Sequence, residues 1–374
     1  MSTTAASLFA SAKRVVLKVG SSSLTGSAGS ELNTSAVDSL TEIVAGLKAA
    51  GKEVVVVSSG AIAAGLAPLG LTSRPKDLAT QQAAASVGQG LLVAQYTQAF
   101  KKHSLVASQV LLTIEDVVRR SHYQNAQRTL FRLLQLGVVP IINENDSVGT
   151  QEIRFGDNDR LAALVSHLIG ADLLVLVSDI DALYDAPPSQ PGATRIAHVT
   201  SLADLAQAEV GGVGASGVGS GGMVTKIEAA RISTGAGIAM FLTSLAKLPG
   251  AIAGDDVGTI FDPVHDRKPS RLLWLEHAST PRGRLILDTG AVTAIQERGV
   301  SLLPAGVTGI EGEFNAGDTV ELVSGTGLVI ARGLVAFDSN EIPQLLGRST
   351  KELAAELGPE YERELVHRDD LVLI

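Results

Sequence analysis

No cysteine occurs among the 374 residues. That absence excludes disulfides, a thiolate nucleophile and cysteine-ligated zinc. The 7 histidines include no pair at metal-ligand spacing such as H-x-x-x-H. Basic charge is also scarce: 30 Lys and Arg stand against 39 Asp and Glu, a formal charge of -9. A role built on wrapping nucleic acid or coating an anionic membrane needs clustered cations, so both classes are disfavoured. The opening MSTTAASLFASAKRVVLKVG lacks a basic segment ahead of a sustained apolar run, and no stretch approaches a membrane span. The expected location is the cytoplasm.

What the chain does have is apolar material: 45% of residues, with a mean hydropathy of +0.26. Up to about residue 260, short continuous runs (Val15–Val19, Val54–Val57, Val138–Ile142, Leu173–Val177, Ile238–Leu242) alternate with helical periods. Continuous rather than alternating runs predict strands buried on both faces. The helical patterns Ala36–Ala50, Asn125–Leu136 and Arg160–Ile169 each end at a glycine, where a C-cap favours one. Strand, helix, strand with short links predicts a parallel α/β sheet. After residue 262 the texture changes. DPVHDRKPSRLLWLEHASTPRG reads as a linker, and RLILD, GVTGIEGEF and AGDTVELVSGTGLVIARG predict a small β-rich domain with a helix at KELAAELG.

Five stretches carry candidate chemistry. In VVLKVGSSSL, Lys18 lies inside a strand that should be buried; its ammonium either snorkels to water or faces a ligand. Gly20 and three serines follow at a strand's carboxyl end, where open α/β sheets bind ligands. VVVVSSGAIAAG repeats the device with Ser58, Ser59 and Gly60, although a capped helix start would look the same. IINENDSVGTQEIRFGDNDR gathers Asn143, Asn145, Asp146, Asp157, Asn158 and Asp159. Any one of these could serve a turn or a cap, but together they offer amide and carboxylate groups for an amino group or for lysines. LLVLVSDIDALYD ends a strand at Ser178-Asp179, a helix cap or a nucleotide contact.

The fifth stretch, GSGGMVTK, supplies Ser220, Gly221, Gly222, Met223, Val224, Thr225 and Lys226. It is not a P-loop, which needs Gly-Lys-Ser/Thr, and not a dinucleotide fingerprint, because no strand precedes Gly217, Gly219 and Gly222. HRDD at 367–370 is not a protein kinase loop either, because Ile374 stands where an asparagine would be required. What remains is a glycine loop donating backbone N–H groups, then a helix N-terminus, with Lys226 at the junction.

Two lysines, two glycine-rich turns and an amide cluster, with no evident general base, describe phosphoryl transfer to an acceptor that is already ionised. A carboxylate is such an acceptor. Repulsion between it and a triphosphate is on the order of 4 kcal/mol per unit pair at about 4 Å and an effective dielectric of about 20. Two lysines and a Mg²⁺ ion would relieve it.

The five stretches, in this order, resemble the amino acid kinase family. The resemblance covers the whole chain, including a C-terminal segment similar to a PUA domain. It implies a three-layer α/β/α sandwich over residues 1–266, a linker over 267–283 and a PUA-like domain over 284–374. It also implies Mg²⁺-ATP as phosphoryl donor and the γ-carboxylate of glutamate as acceptor, as the first step toward proline.

Carried over position by position, the resemblance implies that Lys18 and Lys226 neutralise the moving phosphoryl group while Asp159 orients both. Ser59, Asp146 and Asn158, joined by Asn143, would hold glutamate; Ser178, Asp179 and the loop 220–226 would hold ATP. It further implies a dimer or tetramer, feedback by free proline and a reductase consuming the acyl phosphate. Serines stand where relatives often have threonine, after Gly20 and at Ser58 and Ser178, and a hydroxyl is kept each time. A sibling kinase for aspartate, N-acetylglutamate or UMP is the near alternative. RNA binding by the tail is disfavoured, since residues 281–374 hold 8 Lys and Arg against 15 Asp and Glu, a net of -7.

Overall fold

Residues stiff at χ1, such as Val and Ile, suit a pleated strand better than a helix. The runs that carry them become β1 (Arg14–Val19), β2 (Glu53–Ser58), β4 (Val139–Glu144), β5 (Leu173–Ser178) and β9 (Ala239–Ser244). Between and beyond them lie β3 (Ala107–Leu112), β6 (Leu183–Tyr184), β7 (Arg195–Ile196), β8 (His198–Val199) and β10 (Thr259–Phe261). The computed structural model describes residues 3–25, 32–113, 116–117, 120–148, 158–186, 190, 192–201, 222–264 and 281–374. The chain divides into two compact units, Met1–Arg267 and Lys268–Ile374. Among the described residues no helix is long and apolar enough to cross a membrane.

The first unit is built on a sheet of order β3-β4-β2-β1-β5-β9-β10-β8. From β3 to β9 every pairing is parallel, as the continuous apolar runs predict. The far edge departs from that expectation: β10 runs antiparallel to β9. The short helix between them, Leu248–Ala253, ends at Gly254 with φ 115° and turns the chain back. β1 lies between β2 and β5, so the chain leaves the centre in opposite directions, and a crevice opens at the carboxyl ends of β1 and β5.

The helices of this unit are α1 (Ala5–Ser11), α2 (Ser21–Leu24), α3 (Thr34–Ala49), α4 (Ala61–Leu66), α5 (Leu78–Lys101), α6 (Arg120–Gln135), α7 (Asn158–Leu168), α8 (Met223–Gly235) and α9 (Leu248–Ala253). Side chains alternate across a strand. Val15, Leu17 and Val19 of β1 therefore join Val54, Val56 and Ile141 on one face, packed with Leu40, Leu92, Tyr96 and Leu248 from α3, α5 and α9. Lys18 points to the other face, the one that α7 covers.

α5 is absent from the sequence reading. Its buried side runs through Ala85, Gly88, Leu92, Tyr96 and Phe100, but Gln89 lies on that side and the apolar Val87 and Leu91 are exposed, so the stripe is blurred in the sequence. What seats it is close approach. A Cβ on Gly65 would lie 1.9 Å from Ala84 O, and one on Gly88 would lie 1.8 Å from Ala61 O, so α4 and α5 touch backbone to backbone. Gly88→Ala is therefore expected to destabilise the first unit by about 1–3 kcal/mol, read as a lower denaturant midpoint. An unchanged midpoint would show that the two helices can separate freely.

The second unit carries a sheet of order β12-β11-β13-β14-β15, from β11 (Gly283–Leu287), β12 (Val307–Gly312), β13 (Thr319–Ser324), β14 (Val329–Leu334) and β15 (Leu371–Leu373). Its own core gathers Leu285, Leu322, Phe337 and Leu353. Strand β11 takes Gly283 from the segment that reads as linker; residues 265–280 of that segment lie outside the described ones.

Candidate active site

Lys18 is only 7% exposed, Asp159 1% and Lys226 5%. Strand β1 supplies the first, the opening turn of α7 the second and the opening turn of α8 the third. Lys18 Nζ lies 2.5 Å from Asp159 Oδ1, and Lys226 Nζ lies 3.3 Å from Asp159 Oδ2. The Thr225 hydroxyl is shared between Asp159 Oδ2 and Gly222 O, each at 2.9 Å. Of the two options left open for Lys18, snorkelling to water is thus ruled out. Burial alone would raise the Asp159 pKa, but Lys18, Lys226 and the Thr225 bond outweigh it and hold the carboxyl well below the usual range. Two ammonium groups thus face one carboxylate.

The cluster lies beside Gly20, at the carboxyl end of β1. Lys18 Nζ comes within 3.7 Å of where a Cβ on Gly20 would be, and Gly20 N–H donates to Val177 O of the neighbouring strand. Helices α2 and α8 begin at Gly20 and Gly222, neither with a side-chain cap, so their first N–H groups remain available to an anion. Ser178 is buried at the end of β5 and donates to Asp179 Oδ1 at 2.9 Å. Met223 and Val224 lie on the first turn of α8. Ser220, Gly221 and Asp157 lie outside the described residues.

The amide cluster is a continuous network. Asn158 Nδ2 donates to Ser59 Oγ at 2.8 Å and to Asn143 Oδ1 at 3.1 Å. Ser59, Asn143 and Asn158 come together although 99 residues separate the first from the last. Asp146 follows at the turn after β4 without joining them by a described hydrogen bond. Burial pushes its carboxyl up to about 6, with the Arg74 guanidinium opposing. Sequence reading missed three neighbours: Arg74, Gln89 and Tyr96. Gln89 Oε1 accepts from Asn143 Nδ2 at 2.8 Å, and the Tyr96 hydroxyl meets Ser58 Oγ at 2.9 Å. Ser58 therefore spends its hydroxyl on the core, leaving Ser59 as the serine at the crevice.

At the carboxyl ends of β1 and β5 stand two buried lysines bridged by one acid, an arrangement able to face an anion. The chain belongs to the amino acid kinase family, whose model matches residues 13–244. A PUA domain model matches residues 283–357. Its relatives are glutamate 5-kinases. That of Streptomyces avermitilis is 62% identical and covers 98% of this chain and 97% of its own. That of Salinispora arenicola is 60% identical over 97% and 98%, and that of Bifidobacterium longum 53% over 98% and 97%. Among solved structures, carbamate kinase from Giardia lamblia bound to AMP-PNP shares the fold, with a TM-score of 0.50 at 14% identity over 68% of this chain and 100% of that one.

Proposed function

We propose that the chain transfers the γ-phosphoryl group of ATP to the γ-carboxylate of L-glutamate, giving L-glutamyl 5-phosphate in the first step of proline biosynthesis. The observation that carries this is the buried Lys18–Asp159–Lys226 cluster beside a pocket of amides, in a chain 62% identical to a glutamate 5-kinase. A glutamate side chain is ionised at neutral pH and needs no base. It needs relief from repulsion, and two positioned lysines at the phosphoryl group would supply that.

Asp159 keeps both ammonium groups in place, so they are not reoriented as charge builds. ATP bound with Mg²⁺ would supply the phosphoryl group. Ser178, Asp179 and residues 220–226 would hold the nucleotide, a role that the uncapped start of α8 and Lys226 suit. Among the described residues no acidic or histidine cluster suits a metal by itself. Ser59, Asn143, Asp146 and Asn158 hold glutamate. The reading places the catalytic domain at 1–266 and a PUA-like domain at 284–374. Feedback by proline, assembly as a dimer or tetramer, consumption of the product by a reductase and cytoplasmic residence rest on the family resemblance.

The test is ADP release from Mg²⁺-ATP with glutamate, aspartate, N-acetylglutamate or UMP, hydroxylamine being present to trap an acyl phosphate. Glutamate-dependent release with stoichiometric hydroxamate supports the reading; a response to another acceptor alone would overturn the substrate. The acceptor's ammonium gives a second handle. Asp146 attracts it only when ionised, so the KM for glutamate is expected to rise as pH falls through about 6, and Asp146→Asn to abolish that dependence. A KM flat across this interval in the unmodified enzyme would remove Asp146 from ammonium binding.

A further inference from the structure

The orientation of every amide in the pocket follows from one backbone group. The N–H of Glu144 can only donate, and it donates to Asn143 Oδ1 at 2.9 Å. Asn143 must then turn its Nδ2 away, toward Gln89, which presents Oε1. Asn158 Nδ2 donates to Asn143 Oδ1 and to Ser59, so its own Oδ1 is left over. That oxygen is buried and has no hydrogen-bond partner among the described residues. A buried acceptor left unpaired is unfavourable, and a substrate donor would relieve it.

We infer that Gln89 is a positioning residue for the acceptor pocket: by holding Asn143 it fixes Asn158 with the carbonyl oxygen outward to receive the substrate's ammonium. This rests on the glutamate reading given above. Gln89 is 8% exposed and is carried on α5, which the Gly65 and Gly88 contacts press against the start of α4. Its Nε2 is buried without a partner among the described residues, so its contribution to the network is the oxygen alone. With an apolar side chain at 89, Asn143 Nδ2 loses its acceptor. The Glu144 N–H alone then holds the Asn143 amide, so the Asn143–Asn158 pair keeps its arrangement less firmly and the Asn158 oxygen is presented to the ammonium less well.

The experiment is steady-state kinetics on Gln89→Met and Gln89→Glu beside the unmodified enzyme, with thermal midpoints. Gln89→Met is expected to raise the KM for glutamate about 10- to 100-fold, the range for a hydrogen bond to a charged group, while the KM for ATP stays within about twofold. Gln89→Glu replaces the unpartnered nitrogen by oxygen, keeps the acceptor and, buried, favours the neutral carboxyl. It is expected to recover most of the loss. An unchanged glutamate KM in Gln89→Met, or equal losses toward both substrates with a lowered midpoint, would overturn the inference while leaving the glutamate reading standing. An unmodified enzyme inert toward glutamate would remove both.

Discussion

Asp159→Ala is expected to lower the stability of the first unit by about 3–5 kcal/mol, the range for stranding buried charge. The carboxylate is 1% exposed and reaches Lys18 at 2.5 Å and Lys226 at 3.3 Å, so its loss takes a shared counter-charge from two buried ammonium groups. Asp159→Asn preserves volume but not charge, and should fall in between. The effect has a direction in pH. The folded state holds the Asp159 carboxyl below its ordinary range; as pH falls below about 4 the unfolded chain takes up the proton first, and the stabilisation is lost. Denaturant midpoints of the unmodified and Asp159→Ala proteins should therefore converge in acid. Equal midpoints at neutral pH would show that the lysines find other partners.

Lys18→Ala and Lys226→Ala should each lower kcat by roughly 10²- to 10³-fold, the loss typical of a positioned electrostatic group. Either change leaves Asp159 with one lysine, so the fold should survive where Asp159→Ala strains it. In the proposed mechanism the missing charge acts on the moving phosphoryl group and not on bound glutamate, so the glutamate KM should shift far less than kcat. Near-normal turnover would take that lysine out of the mechanism.

The sheet was legible because strands buried on both faces write themselves as unbroken Val and Ile runs, and β1, β2, β4, β5 and β9 lie where those runs lie. β3, partly exposed along most of its length, and the two- and three-residue strands toward the opposite edge left no such run. In the site, residues that are expensive to bury announced themselves: Lys18, Lys226 and the NEND and GDND clusters. Gln89 and Tyr96 did not. Each occupies a helix whose buried stripe is blurred by exposed apolar residues, and each matters through a partner, Asn143 or Ser58, far away in the sequence. A pattern along one segment cannot encode a meeting between two.

The order of the charges along the chain adds a temporal side to the site. Synthesis delivers Lys18 first and Asp159 next, and Lys226 comes 67 residues after Asp159. A nascent chain emerging from the ribosome folds as its segments become available. When β1 and β5 pair, Lys18 and Asp159 can already meet as a neutral couple. The second lysine reaches Asp159 only when α8 docks, so the charge pattern of the site is completed late in synthesis.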